Sequence, residues 1–212
     1  REAARFLNEV MGLSLSPVDV AALEERTEGW IVGLQLAALA LRSLSLAPGR
    51  PSAPSGTAPT EFIATLSGSH RFILSYLTEQ VLDRQPPEVQ RFLLQTAILD
   101  QLSGDLCDAV TGRTDSRFLL ERLFNANLFL IPLDDEGRWY RYHRLFADLL
   151  RDLQNAEHKD ETAELHRRAS QWYAQAMGKS GTFTREAIQH ALDGADYALA
   201  LDLLESHAMD MI

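Results

Sequence analysis

The sequence predicts a mainly α-helical chain interrupted once by a β-hairpin, arranged as a helical bundle, a winged helix and the opening of a helical array. Three observations predict it. Apolar side chains recur at helical spacing along most of the 212 residues. Between Leu128 and Tyr142 the period changes: a short apolar run, Leu128–Leu133, and an aromatic-rich run, Trp139–Tyr142, flank Asp134-Asp135-Glu136-Gly137, a polar loop closed by glycine. Breaks rich in Pro, Gly and Ser separate the helices, and a hydrophobic content of 46% is enough to bury a core.

The first helix spans residues 2–10, with Ala3, Phe6, Leu7 and Val10 on one face, and Gly12 ends it. Ser16-Pro17 supplies an N-cap and a first-turn proline for the second, whose face carries Val20, Leu23 and Ala21 and whose end falls at Thr27-Glu28-Gly29. Trp30–Ser43 is nearly all apolar, as in a helix buried on several sides, and Gly33 and Ala37 leave room for a second backbone. Residues 45–60 read as a flexible loop by composition.

Helices resume from Glu61. Phe72, Ile73, Tyr76, Leu77, Val81 and Leu82 form an apolar stripe that Gln85-Pro86-Pro87 breaks. Pro87 then opens a helix with Val89, Phe92, Leu93 and Ile98 facing inward. A short helix follows over 104–110. Asp115-Ser116 caps another over 117–125, with Phe118, Leu119, Leu120, Leu123 and Phe124 as its apolar set. Strands over 128–133 and 138–142 complete the helix, helix, helix, hairpin order of a winged helix. From His143 the helical period returns through Leu145, Phe146, Leu149 and Leu150. A polar spacer, QNAEHKDE, precedes helices over 162–177, 185–192 and 196–209. Ala169, Trp172, Tyr173, Ala187, Ala191 and Ala198 sit at close-packing positions there, as at the start of a tetratricopeptide-like (TPR-like) α-superhelix.

Composition narrows the function. A net charge of −10 disfavours a nucleic-acid surface, which needs clustered Lys and Arg. The sole cysteine, Cys107, allows no internal disulfide and fits a reducing, cytoplasmic compartment. The most apolar helix, 31–41, is too short to cross a bilayer and contains Gln35, so no membrane partner is expected. No phosphate-binding glycine loop, dinucleotide fingerprint or zinc-protease motif is present, so no enzyme activity and no catalytic residue is expected of this segment. The six histidines show no metal-ligand spacing, so no metal is expected; His158 and His166 read as solvated helix-surface residues. The missing initiator methionine suggests an internal segment of a longer protein.

His143 stands apart. It falls where the hairpin becomes a helix, flanked by Arg141 and Arg144. A helix start binds anions through free backbone N–H groups, and a neutral imidazole still donates one hydrogen bond. Spacing alone favours a structural histidine packed on Tyr140 or Tyr142.

Four stretches carry a family resemblance: RTEGWIVGLQLAALALR (26–42), FLLQTAILDQLSGDLCDAVTG (92–112), ANLFLIPLDDEGRWYRYHRLFADLLR (126–151) and LHRRASQWY (165–173). Together they resemble the MalT-like, LuxR-type ATP-dependent transcriptional regulators of bacteria, signal-transducing ATPases related to the NB-ARC proteins. The resemblance implies a helical lid of a nucleotide-binding module over 1–70, a winged-helix domain over 71–155 and the first helices of a sensor array over 156–212. It further implies an upstream nucleotide-binding domain holding ATP or ADP, with none bound tightly by this segment alone. A downstream helix-turn-helix would carry DNA contact, and a small-molecule or protein inducer would drive an oligomer. In the related NB-ARC proteins a histidine ending the winged-helix hairpin reaches the β-phosphate of ADP. His143 matches that position. Arg141 beside it and Trp30, in the segment TEGWIVGL, complete the implied nucleotide-contacting set, although Ile31 stands where relatives carry a proline. Two other readings compete: a stand-alone DNA-binding winged helix, and a protein-interaction scaffold.

Overall fold

The computed structural model describes residues 2–45, 63, 71–176 and 183–209, so almost all of the loop expected over 45–60 lies outside the described residues. The chain divides into two compact units: residues 1–85 with 143–149, and residues 86–142 with 150–212.

In the first unit, helix α1 (Glu2–Arg5) runs on as a π-helical turn, Phe6–Val10. Ala3 and Leu7 are buried as expected, but Val10 is 70% exposed. The wider turn, closed by Met11 N–H donating to the Phe6 carbonyl at 2.9 Å, rotates Val10 off the face that a 3.6-residue period assigns it. Helix α2 (Pro17–Thr27) opens on a complete capping box: Ser16 Oγ accepts from the Asp19 N–H while the Asp19 carboxylate accepts from the Ser16 N–H. Val20 and Leu23 are buried, whereas Ala21 faces solvent. The helix ends with Glu28 and Gly29 both left-handed, at φ 48° and 74°.

Helix α3 (Ile31–Ser45) lies against α2 and α4 (Arg71–Leu77). Leu34, Ala37, Ala38, Ala40 and Leu41 form its buried face, while Ile31 and Leu39 stand 55% and 41% exposed. The helix is therefore half-buried rather than enclosed. Gly33 also serves a different purpose from the one its spacing suggests. A Cβ there would collide with the Trp30 indole, so this glycine makes room for a side chain, not a second backbone. Gly33→Ala gains about 0.8–1.0 kcal/mol of helix propensity, but displacing a large ring in a packed site costs about 1–3 kcal/mol. We expect a net loss, read as a lower denaturation midpoint. Helix α4 continues as a second π-helical turn, Thr78–Leu82, and buries Ile73, Leu77 and Leu82.

The second unit opens with helix α5 (Pro87–Thr96), where Pro87 takes the first-turn position and Val89, Phe92 and Leu93 are buried. Helix α6 (Gly104–Thr111) is capped by Ser103 Oγ, which accepts from the Leu106 N–H at 3.3 Å. Helix α7 (Ser116–Asn125) does not use the cap expected of Asp115. That carboxylate pairs with Arg113 at 2.8 Å, and Asp108 of α6 accepts the Ser116 N–H at 3.0 Å instead. Leu119, Leu120 and Leu123 face inward; Phe118 is 66% exposed, against expectation.

The hairpin is real but shorter than its sequence pattern: β1 (Leu130–Pro132) pairs antiparallel with β2 (Tyr140–Tyr142), Ile131 opposite Arg141. Phe129, at φ 54°, ends the strand early, because a left-handed residue cannot continue a ladder. Asp134 Oδ1 closes the loop by accepting the Arg138 N–H at 2.8 Å and the Trp139 N–H at 3.3 Å. Tyr140 turns its backbone outward to Leu102, exchanging bonds of 2.9 and 2.7 Å, so the missing N–H of Pro132 opposite costs the ladder nothing. Beneath the sheet the Thr96 hydroxyl donates to the Phe92 carbonyl, which leaves the Tyr142 hydroxyl to donate to Thr96 at 2.7 Å.

Helix α8 (Arg144–Glu157) runs through half of the expected polar spacer, and α9 (Lys159–Ala176) takes most of the rest. A buried Gln154 explains why the spacer is helical: it belongs to an inward face. Helix α9 packs on α10 (Thr184–Asp193), and α10 on α11 (Tyr197–Met209). Ala169, Tyr173, Ala187 and Ala191 are buried in these contacts; Ala198 is exposed and Ala200 takes its place. No described helix is long and apolar enough to cross a membrane.

Candidate functional site

Helix α2 ends by turning Thr27-Glu28-Gly29 through left-handed geometry, which presents the Thr27 carbonyl and the Glu28 side chain at one point. Helix α8 begins at the same point. His143 is 7% exposed, and its Nε2 lies 2.8 Å from the Thr27 carbonyl oxygen. A carbonyl only accepts, so the imidazole carries its proton on Nε2. The same carbonyl also accepts the Trp30 N–H at 2.8 Å. The Trp30 indole meets the His143 ring edge-on at 5.9 Å and Tyr76 at 5.9 Å. The histidine is thus packed, but on Trp30 rather than on the tyrosines that spacing suggests.

The helix start has its anion. Glu28 Oε2 accepts the Arg144 N–H at 3.0 Å and lies 3.5 Å from His143 Nε2. A carboxylate is favoured there because the first N–H groups of a helix lack internal partners and carry partial positive charge. His143 and Trp30, singled out separately in the sequence, therefore belong to one cluster with Thr27, Glu28 and Arg144. Arg141 belongs to β2 in the other unit, where its guanidinium donates to the Tyr142 carbonyl at 3.3 Å.

Residues 78–162 match the family model of the MalT winged helix domain. The chain is a MalT-like segment. It is 32% identical over 212 residues to the HTH-type transcriptional regulator MalT of Klebsiella pneumoniae (strain 342), covering all of this chain and 22% of that protein. It is 31% identical over 209 residues to the MalT of Cronobacter sakazakii, covering 98% and 21%. It is also 38% identical over 204 residues to the serine/threonine-protein kinase PknK of Mycobacterium tuberculosis (strain CDC 1551 / Oshkosh), covering 96% and 17%. The chain spans about a fifth of the length of these relatives.

His143 and Arg141 lie inside the MalT winged helix domain; Trp30 and Glu28 lie outside it and within the longer stretch shared with both kinds of relative. The MalT-like chain also holds a polar centre that its sequence does not announce. His166 on α9 and His190 on α10 approach at 2.8 Å, Nδ1 to Nδ1, with His190 stacked on Tyr173. Burial lowers both histidines, and in His190 the neighbouring His166 adds to it, pushing the ring down to about 4. His166 is thus not the solvated surface residue expected: its side chain is 14% exposed. A separation of 24 residues across two helices gives no local motif, so only their packing pairs them. Among the described residues no cluster of His, Cys, Asp and Glu is arranged to hold a metal.

Proposed function

We propose that this segment is the switch region of a bacterial ATP-dependent regulator of LuxR type, with its lid and winged helix coupling nucleotide state and inducer sensing to DNA-binding assembly. The observation that carries the reading is the latch at the start of α8, where His143 donates to Thr27 and Glu28 accepts from Arg144. In the longer, cytoplasmic protein an upstream domain supplies ATP or ADP. The β-phosphate of ADP then competes for the Nε2–H of His143 and for the helix start that Glu28 fills. The two acceptor sets define two packings whose populations nucleotide can shift, because a ligand moves an equilibrium only through differential binding.

Relatives named for different outputs, a kinase and a transcriptional regulator, share this stretch. That supports a regulatory module shared between different outputs rather than the output itself. The test is ADP dissociation from the intact protein: His143→Ala is expected to release ADP faster, and an unchanged release rate removes His143 from the nucleotide site.

DNA contact is assigned to a separate domain of the same protein. On α7, Arg117 pairs with Glu121 at 3.3 Å and the neighbouring Phe118 is exposed, a poor surface for phosphates. Gel-shift titration of this chain against random and operator-like duplexes is expected to show no binding at physiological salt. Tight, salt-sensitive binding would favour the stand-alone winged helix instead.

A further inference from the structure

The second unit contains a cavity of about 240 Å³ lined by Gln154 and Arg151 of α8, His166 of α9, and His190 and Asp193 of α10. Gln154 is 1% exposed, and neither its amide oxygen nor its amide nitrogen meets a hydrogen-bond partner among the described residues. Leaving both buried and unmet is costly, about 1–3 kcal/mol for each group. The cavity wall beside it is chemically matched. In a neutral Nδ1–H···Nδ1 pair, the donor ring has a bare Nε2 and the acceptor ring has an Nε2–H, so His166 and His190 retain one acceptor and one donor.

Charge selects further. Arg151 is committed to Asp100 at 2.7 Å and to the Ala97 carbonyl at 2.8 Å. Asp193 accepts from Gln189, also of the lining, at 3.1 Å and lies 3.9 Å from the Nδ1 of the neutral His166, so among the described lining residues no cation offsets its charge. An anion is therefore repelled. An ammonium can satisfy the Gln154 oxygen but leaves its nitrogen without an acceptor. We propose that this cavity is a binding site for a small uncharged molecule that pairs a carboxamide-type edge, one donor beside one acceptor, with Gln154. The site is independent of the latch at His143.

Nicotinamide is the probe and nicotinate its near-isosteric anionic control, each titrated into this chain at pH 7.5 while the His166 and His190 imidazole resonances are followed. Nicotinamide is expected to shift them saturably and nicotinate to leave them in place. Gln154→Met, close in shape and apolar, should weaken nicotinamide by about tenfold or more, the loss of two hydrogen bonds, with a melting midpoint at or above the wild-type value. Imidazole resonances that ignore nicotinamide would mean that water alone fills the cavity and would overturn the proposal. Equal response to nicotinate, or undiminished binding by Gln154→Met, would overturn it too. The comparison of the two probes on the wild-type chain stands even if the variant does not fold.

Discussion

Acidifying this chain from pH 7.5 to pH 4 is expected to cost it about 3 kcal/mol through His190 alone. The ring is 8% exposed and held down to about 4 from an ordinary 6.5, first by burial and then by His166, with Asp193 and Asp100 opposing and Arg151 assisting. A histidine lowered by folding contributes stability that is fully present above 6.5. Below 6.5 the unfolded chain takes up a proton that the folded chain refuses, so stability falls until the pH passes the folded value near 4. At about 1.4 kcal/mol per tenfold change, the drop from 6.5 to about 4 is worth about 3.5 kcal/mol in full, of which about 3 kcal/mol is lost by pH 4, where the folded ring is half protonated. His166, lowered in the same direction, adds to the loss within the same window. Two imidazolium rings also cannot keep an Nδ1-to-Nδ1 hydrogen bond, so double protonation separates α9 from α10 at this point. Urea denaturation of wild type and His190→Gln at pH 7.5, 5.5 and 4.5 measures the effect. The variant should lose less than half as much stability as wild type over that range; parallel curves would show that other groups carry the acid sensitivity.

The second large effect belongs to His143. In the isolated chain, His143→Ala removes one buried hydrogen bond and the ring edge that packs on Trp30. The Thr27 carbonyl keeps the Trp30 N–H, so no acceptor is orphaned and the cost is about 1–2 kcal/mol. In the intact protein the proposed role predicts a larger change. A hydrogen bond to a charged phosphate is worth about 1.5–3 kcal/mol, a tenfold to hundredfold change in the ratio of closed to open protein. ADP should leave about that much faster, and basal transcription without inducer should rise. A purely structural histidine predicts the reverse pattern: lower stability, unchanged ADP release and reduced activity. Glu28→Gln separates the two further. It weakens the internal anion at the α8 start while leaving the imidazole and its bond to the Thr27 carbonyl in place, so under the proposed competition ADP should be retained longer.

Much of the helical framework was legible because its signals are local. Ser16-Pro17-x-Asp19 contains every partner of its own capping box, and Pro86-Pro87 cannot be helix interior, so these boundaries follow from a few adjacent residues. The hairpin was legible for the same reason: Asp134 and Gly137 close the loop within their own segment. The errors are equally physical. Val10 faces solvent because a π-helical turn changes the residue count, which a period of 3.6 cannot anticipate. The polar spacer is helical because Gln154 faces inward, a fact that composition conceals.

By itself, then, the sequence determined the helices with self-contained caps, the hairpin and its loop, the acidic surface, and the position of His143 at a strand-to-helix junction. Tertiary structure decided what those residues meet. It placed Trp30 and Glu28 against a histidine more than a hundred positions away, paired His166 with His190 across two helices, and buried the Gln154 amide. Local signals are written in dihedral preference and short-range hydrogen bonds, which act between residues a few positions apart. The partners of a buried polar group are fixed instead by which helix faces pack together, and that choice is made by the apolar surface of the whole unit.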